Sequence, residues 1–261
     1  MAMVPVRGAR IYCEVAGDGP PLVLTTGQGT GPEARAELVA GLAARFRVLT
    51  YDQRGSGRSE RVPQGQAMEE LADDIAALMD WAGFERARVV GHSTGTGKAT
   101  CMAVRHAHRV DKLVLAAPWT HGDADLHVLQ NMRKAAARTM PPDHYVHFNA
   151  LLIYPPEYRR AHFERFQRMA KEALDKPQDA PGIAARLDAI LALDSRPLYP
   201  RIACPTLVMG AVDDLVMPVW HAQDAARAIP GARLDVAPQG GHMFPETRTA
   251  DFLARVLPFL A

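Results

Sequence analysis

Arg88-Val-Val-Gly-His-Ser-Thr-Gly-Thr-Gly97 is the stretch on which the fold turns. Arg88 to Val90 are extended in character and mostly apolar, which suits a short buried strand, and Lys98-Ala-Thr-Cys-Met-Ala-Val-Arg105 suits a helix. Between them Gly91-His92-Ser93-Thr94-Gly95 matches G-x-S-x-G. A serine on so sharp a turn between strand and helix is presented as a nucleophile. The turn strains the serine's backbone, and side chains at Gly91 and Gly95 would collide with neighbouring backbone. Five such residues also occur by chance, so their weight depends on the elements around them.

Outward from this stretch the chain alternates strand and helix. Residues 4–15 suit a hairpin around Gly8, and residues 22–25 a buried strand that runs into the glycine-rich loop 26–31. A helical pattern follows at 32–44, then a strand at 46–51 ending in Asp52-Gln-Arg-Gly-Ser-Gly-Arg-Ser59. Leu71, Ile75, Leu78 and Met79 carry helical spacing over 68–81, with Gly83 as a stop. Residues 112–116 form another apolar strand closed by Pro118. Alternation of this kind predicts right-handed βαβ units and a mostly parallel sheet. The rhythm changes over 121–193, where helical stretches are broken by Pro141-Pro142, Pro155-Pro156, Pro177 and Pro181. It resumes with strands at 206–210 and 233–236, a helix near 218–229 and a closing helix from about 246 to 260. The expected organisation is a core of residues 1–120 and 195–261, with residues 121–194 as a helical cap inserted over the sheet.

At 261 residues the chain can hold one large domain with an insert, and 48% apolar with 23% charged residues is ordinary for a soluble globular protein. A net charge of +1 gives no reason to expect nucleic acid or an anionic membrane as partner. The first ten residues have no signal-peptide pattern, and no 18-residue apolar run suggests a membrane span. Cys13, Cys101 and Cys204 are an odd, scattered set without metal spacing, read as reduced thiols in the cytoplasm.

A serine hydroxyl is a poor nucleophile near neutral pH and needs a base oriented by a carboxylate. Both are available on loops after strands. Ala211-Val-Asp213-Asp214-Leu-Val-Met-Pro218 follows the strand at 206–210, and Pro238-Gln-Gly-Gly-His242-Met-Phe follows that at 233–236. Ligand sites of open α/β sheets form at that edge. Asp213 and Asp214 are neighbours, so one should meet the imidazole while the other caps the helix near Pro218. Two other signals fail. Gly95-Thr-Gly-Lys98 would need Gly at 92 and Ser or Thr at 99 to be a phosphate loop, and the chain has His92 and Ala99. His106, His108, His121 and His127 lack metal-ligand spacing.

With these elements in place the chain resembles the α/β-hydrolase superfamily along nearly its whole length. The resemblance rests on Gly91-His-Ser-Thr-Gly95, Tyr51-Asp-Gln-Arg-Gly-Ser-Gly-Arg-Ser59, Cys204-Pro-Thr-Leu through Asp213-Asp-Leu-Val-Met-Pro218, and Gly240-Gly-His242. It implies an eight-stranded, mostly parallel sheet flanked by helices with a helical cap, a triad in the order serine, acid, histidine, and no cofactor. It also implies an oxyanion hole from the backbone N–H groups of Gln28 and Thr94. The family pattern D-x-x-x-P selects Asp214, whereas counting three residues from Gly210 selects Asp213. Thr26-Gly27 stands where members often have His-Gly, which puts the shape of the oxyanion loop in question. Leu151-Leu-Ile-Tyr154-Pro-Pro-Glu157 is similar to the aminoacrylate hydrolases of pyrimidine breakdown, with a more distant likeness to 3-oxoadipate enol-lactonases.

The resulting expectation is a serine hydrolase of a small-molecule ester, lactone or amide-like bond, with Ser93 as nucleophile, His242 as base and Asp214 (or Asp213) as acid. The insert would be the lid, and Trp119, Tyr154, Met217 and Met243 would line the substrate pocket. The same triad running C–C bond, enamine or carbamate hydrolysis is the alternative, and a non-catalytic ligand receptor on the same fold is the third. The sequence leaves monomer and dimer equally open.

Overall fold

The structure, a computed structural model, describes residues 1–27, 32–62, 65–175 and 177–261. Its strands are β1 (Ala2–Val6), β2 (Ala9–Ala16), β3 (Pro21–Thr25), β4 (Arg47–Tyr51), β5 (Ala87–His92), β6 (Val110–Ala116), β7 (Thr206–Ala211) and β8 (Arg233–Ala237). They form one sheet in the order β1-β2-β4-β3-β5-β6-β7-β8. The first two are the expected hairpin, and β2 runs antiparallel to β4. Every pair from β4 to β8 is parallel. The central strands are apolar over most of their length, as strands covered on both faces must be. Val89, Val90, Leu113, Val114, Leu115 and Val208 have no exposed surface.

Helices α1 (Pro32–Ala43), α2 (Met68–Ala82) and α3 (Thr94–Arg105) alternate with the strands of the first half. Five consecutive helices then follow: α4 (Ala124–Thr139), α5 (Pro142–Ile153), α6 (Pro156–Ala161), α7 (Phe163–Leu174) and α8 (Ala180–Ala192). After β7 come α9 (Val219–Ala228), the short α10 (Phe244–Thr247) and α11 (Thr249–Leu260). In the core, α2 packs on α3 and α1 packs on α11, while α9 lies on β7. The stripe Leu71, Ile75, Leu78 and Met79 of α2 is buried, as its spacing requires.

The prolines of residues 124–192 start helices as well as separate them. Pro142, Pro156 and Pro181 sit in first turns, where a missing N–H costs nothing. Asp123 caps α4 by accepting from Leu126 N–H at 2.8 Å, and Asp179 caps α8 through Gly182 N–H at 3.0 Å. The two ends of this segment are tied where it leaves the sheet. Ser195 N–H donates to the Thr120 carbonyl at 2.7 Å, and Trp119 Nε1–H to the Ile190 carbonyl at 3.0 Å. The expected single closing helix is two: Arg248, at φ −136°, interrupts it between α10 and α11.

Chain order reverses direction across the sheet between β3 and β5, since the chain moves from β3 outward to β4 and later from β5 outward to β8. The crevice at such a reversal, at the carboxyl ends of the strands, is where open α/β sheets bind ligands. The ends of β3, β5, β7 and β8 all lie on that edge, as the pairs Thr25↔Gly91, Ala116↔Met209 and Ala211↔Ala237 fix.

The packing of α3 against β3 leaves no room at Gly95, where a Cβ would stand 2.0 Å from the Thr25 carbonyl oxygen. That neighbour is backbone in a central strand and cannot yield. Gly95→Ala should therefore lower the unfolding free energy by about 3 kcal/mol or more, read by denaturant titration. Stability equal to wild type would mean that α3 is not seated this closely on β3.

Candidate active site

Ser93 occupies the turn between β5 and α3 with φ 55° and ψ −126°, a conformation that L residues rarely adopt. It is held from both sides. Ser93 N–H donates to the Ala116 carbonyl of β6 at 2.9 Å, and the Ser93 carbonyl accepts from Thr96 N–H at 2.8 Å and Thr96 Oγ1 at 2.7 Å. Gly91 and Gly95 are needed for the close approach, since a Cβ on Gly91 would stand 2.7 Å from the Gly95 carbonyl oxygen. Strand and helix thus clamp a strained turn and aim its hydroxyl off the sheet edge.

The loops after β7 and β8 bring two partners to that hydroxyl. His242 Nε2 lies 2.7 Å from Ser93 Oγ, and His242 Nδ1 lies 2.9 Å and 3.1 Å from the two carboxylate oxygens of Asp214. All three side chains are buried. Asp214 Oδ1 also accepts from the N–H groups of Val216 and Met217, at 2.8 and 2.9 Å, which fixes the carboxylate against rotation. Asp213 points elsewhere. Its carboxylate accepts from Gly240 N–H at 3.0 Å and Gly241 N–H at 2.9 Å, whereas the hydrogen bonds of the imidazole go to Asp214 and Ser93. The expectation that the second aspartate caps the helix near Pro218 is corrected, because Pro218 precedes α9 without any side-chain cap. Asp213 instead pins the histidine loop, whose two glycines adopt φ 133° and 63°.

His92 holds the same loop from below. Burial pulls its imidazole down to about 4, so the ring is neutral near pH 7 and its Nε2–H donates to the His242 carbonyl at 2.9 Å. Lys98, one turn into α3, does a comparable job at the end of β3. Its buried Nζ donates to the Thr26 carbonyl at 3.0 Å and to Gln53 Oε1 at 3.1 Å. Burial, with the nearby Arg35 charge, pulls its ammonium down to about 7. The loop so held passes tightly over Ser93, and a Cβ on Gly27 would stand 2.9 Å from Ser93 Cβ. Thr94 opens α3, so its N–H has no acceptor within the helix and faces this same gap. Gln28, the other expected oxyanion donor, lies outside the described residues.

A cavity of about 40 Å³ lies over Ser93 and His242, with Ile153, Ile190, Met217 and Met243 among its walls. A second, of about 290 Å³, adjoins it within the five-helix segment and includes Tyr154. Of the four residues expected to line the pocket, Met217 and Met243 therefore border the serine and Tyr154 borders the neighbouring space. Trp119 does not border the serine. It is buried in the core over Gly97, where a Cβ would stand 2.5 Å from its ring. Sequence reasoning also passed over Arg133 of α4, which lines both cavities. Its inward stripe with Leu126, Gln130 and Ala137 was the available signal.

A family model described as the alpha/beta hydrolase fold matches residues 20–249. The chain belongs to the α/β-hydrolase family. Among its relatives is a RutD protein of Caulobacter sp. (strain K31), named for a proposed carbamate hydrolase activity, 34% identical over 96% of this chain and 96% of that one. Among solved structures, the enol-lactonase of Burkholderia xenovorans LB400 superposes with a TM-score of 0.87, at 29% identity over 98% of each chain. A thermophilic esterase of Thermogutta terrifontis does so with a TM-score of 0.84, at 25% identity over 99% of this chain and 96% of that one. The company of these proteins makes the chain a hydrolase. Among the described residues no helix is long and apolar enough to cross a membrane.

Two consequences of this geometry are measurable without a substrate. Removing the Asp213 carboxylate leaves the Gly240 and Gly241 N–H groups without their acceptor, so Asp213→Ala should destabilise by about 1–3 kcal/mol. Lys98 titrates at about 7 in the fold and at 10.5 when unfolded, so in that window the unfolded chain holds the extra proton. Stability relative to Lys98→Met is then lowest and flat below pH 7, and rises by ~1.4 kcal/mol per pH unit above it until the unfolded lysine also deprotonates. Denaturant titrations of both proteins from pH 6 to 10 would show this, and a constant difference would contradict it.

Proposed function

We propose that the protein hydrolyses an ester, lactone or amide-like bond of a small molecule through an acyl-enzyme on Ser93. The observation that carries this is the continuous chain from Ser93 Oγ through His242 to the Asp214 carboxylate. His242 Nε2 takes the hydroxyl proton as Oγ attacks the carbonyl carbon, and Asp214 steadies the imidazolium that forms. The tetrahedral oxyanion is received by the free Thr94 N–H at the positive end of α3, with Gln28 as second donor by its position in the chain. His242 then returns the proton to the leaving group. A water entering in its place is activated by the same nitrogen and releases the acid.

Asp214 is the acid in this reading, because Asp213 is engaged with the histidine loop. Met217, Met243 and Tyr154 line the substrate space, and residues 121–194 form the lid above it. The three cysteines, free and mostly buried, fit a cytoplasmic enzyme, and a net charge of +1 offers nothing to draw nucleic acid or an anionic membrane. A second reading, carbamate hydrolysis by the same triad, is favoured by the name of the RutD relative.

On 4-nitrophenyl acetate, Ser93→Ala and Asp214→Asn should each lose on the order of 10⁴-fold in kcat, and Asp213→Asn less than about 10-fold. A fluorophosphonate probe should label Ser93 in the wild type. Wild-type turnover by Ser93→Ala would remove the acyl-enzyme, and equal losses at the two aspartates would remove the assignment of the acid. A higher kcat/KM on an alkyl carbamate than on the matched ester would decide for the second reading.

A further inference from the structure

Among the described residues, Arg133 in the wall of the Ser93 cavity has no counter-ion. It projects from α4 on the inward stripe of Leu126, Gln130 and Ala137, away from the solvent face where Met132 and Val128 are exposed. Its hydrogen-bond partners are neutral: Nε donates to Asn149 Oδ1 at 3.2 Å and Nη1 to Gln130 Oε1 at 3.1 Å. Asn149 is fixed in that orientation, because its own NH₂ group donates to the Tyr145 carbonyl at 2.9 Å. Among the described residues no carboxylate pairs with Arg133, whereas the other arginine beside these cavities, Arg186, has Asp179 at 3.5 Å. Burial pulls the Arg133 guanidinium below its ordinary range, a sign that the charge is poorly compensated.

The surroundings define what would compensate it. Arg133 and Ile153 stand in the walls of both the 40 Å³ space over Ser93 and the adjoining 290 Å³ space. No aspartate or glutamate lines either space among the described residues. The walls other than Arg133, Arg186 and the Ser93–His242 pair are largely apolar. A planar guanidinium with two edges fixed by amide oxygens, and the rest unclaimed, is built to receive a planar anion.

We propose that Arg133 binds a carboxylate of the substrate, so that the molecule hydrolysed at Ser93 is a short-chain acid whose reacting carbonyl and carboxylate span the two spaces. The substrate class rests on the hydrolase reading of Ser93, but the carboxylate site itself does not. A carboxylate there meets a fixed donor, replaces the missing counter-ion, and finds no acidic wall to repel it. A neutral ester of the same size gains only the apolar contacts.

The test uses ligand pairs that differ in charge and little else. Propionate and succinate, with propionamide as the neutral match, are titrated by calorimetry into the wild type, Arg133→Met and Arg133→Lys. They are also tested as competitors of 4-nitrophenyl acetate hydrolysis by the wild type. The wild type should bind the acids on the order of 10- to 100-fold more tightly than the amide, the gain expected of a charge-assisted pair. Arg133→Met should lose that preference, and Arg133→Lys should keep part of it without the bidentate geometry. A thermal melt of each variant shows that it is folded, and exchanging a half-buried unpaired cation for methionine removes a desolvation cost. Equal binding of acid and amide by the wild type overturns the proposal, as does a preference that survives in Arg133→Met. The wild type separates the two readings, and succinate binding by Ser93→Ala shows that the carboxylate site does not need the serine. Acid preference in a wild type that neither hydrolyses the ester nor takes the fluorophosphonate would sink the acyl-enzyme and keep the carboxylate site. Hydrolysis without acid preference would do the reverse.

Discussion

The active edge of this protein depends on one strained residue. Ser93 at φ 55° costs on the order of 1–3 kcal/mol that the turn itself cannot recover. The strain persists because β6 holds its N–H, Thr96 holds its carbonyl, and two glycines let β3, β5 and α3 approach within distances that no side chain allows. Each of these contacts belongs to the core of the sheet. The position of Ser93 is therefore a property of the fold as a whole, and a change that loosens the strand–helix packing would move the hydroxyl before it unfolded the domain.

The partners of Ser93 are positioned by a different device, since they sit on loops and not on the sheet. The histidine loop is fixed at three points by groups that do not react: Asp213 on the Gly240 and Gly241 N–H groups, neutral His92 on the His242 carbonyl, and Asp214 on the ring. Adjacent aspartates thus divide two tasks, one orienting the loop and one orienting the imidazole. Both carboxylates accept backbone N–H groups, so neither is left as an uncompensated buried charge.

How much of this was legible in the chain follows from where each signal is written. The sheet was legible because its central strands are apolar runs punctuated by glycine and proline, and the serine turn because its glycines are sterically required. The choice between Asp213 and Asp214 was not, because both stand on one turn and spacing does not say which way a side chain points. The break at Arg248 was hidden by a pattern that stays amphipathic across it. It coincides with the clamp of Glu246 by Tyr154 and Tyr158 of the helical segment, at 2.9 and 3.0 Å, which no local pattern encodes. Trp119 and Met217 look alike as apolar residues after a strand, yet one fills the core and the other borders the serine. Gln28 falls outside the described residues, so its part in the site stays where the sequence left it.

Arg133 marks the sharpest limit of sequence reading and also its physical reason. In sequence it is one of two adjacent cations, Arg133-Lys134, and such a pair on a helix usually reads as a solvated face. In the fold Lys134 meets Asp188 at 2.6 Å, while Arg133, about 100° further round the helix, turns inward and among the described residues meets no carboxylate. A buried charge kept without a partner is a cost to stability that neutral amide oxygens only partly offset. Such a cost is tolerated where occupancy by a ligand removes it, because only the free protein carries the penalty and the complex does not. The same electrostatic deficit that makes Arg133 a poor contributor to the fold is what would let it discriminate, as proposed, between an acid and its neutral counterpart. If Ser93 and Arg133 act as proposed, reaction and selectivity arise from separate parts of the chain: the sheet edge fixes what Ser93 can attack, and one inward-facing arginine on α4 favours which molecules come within its reach.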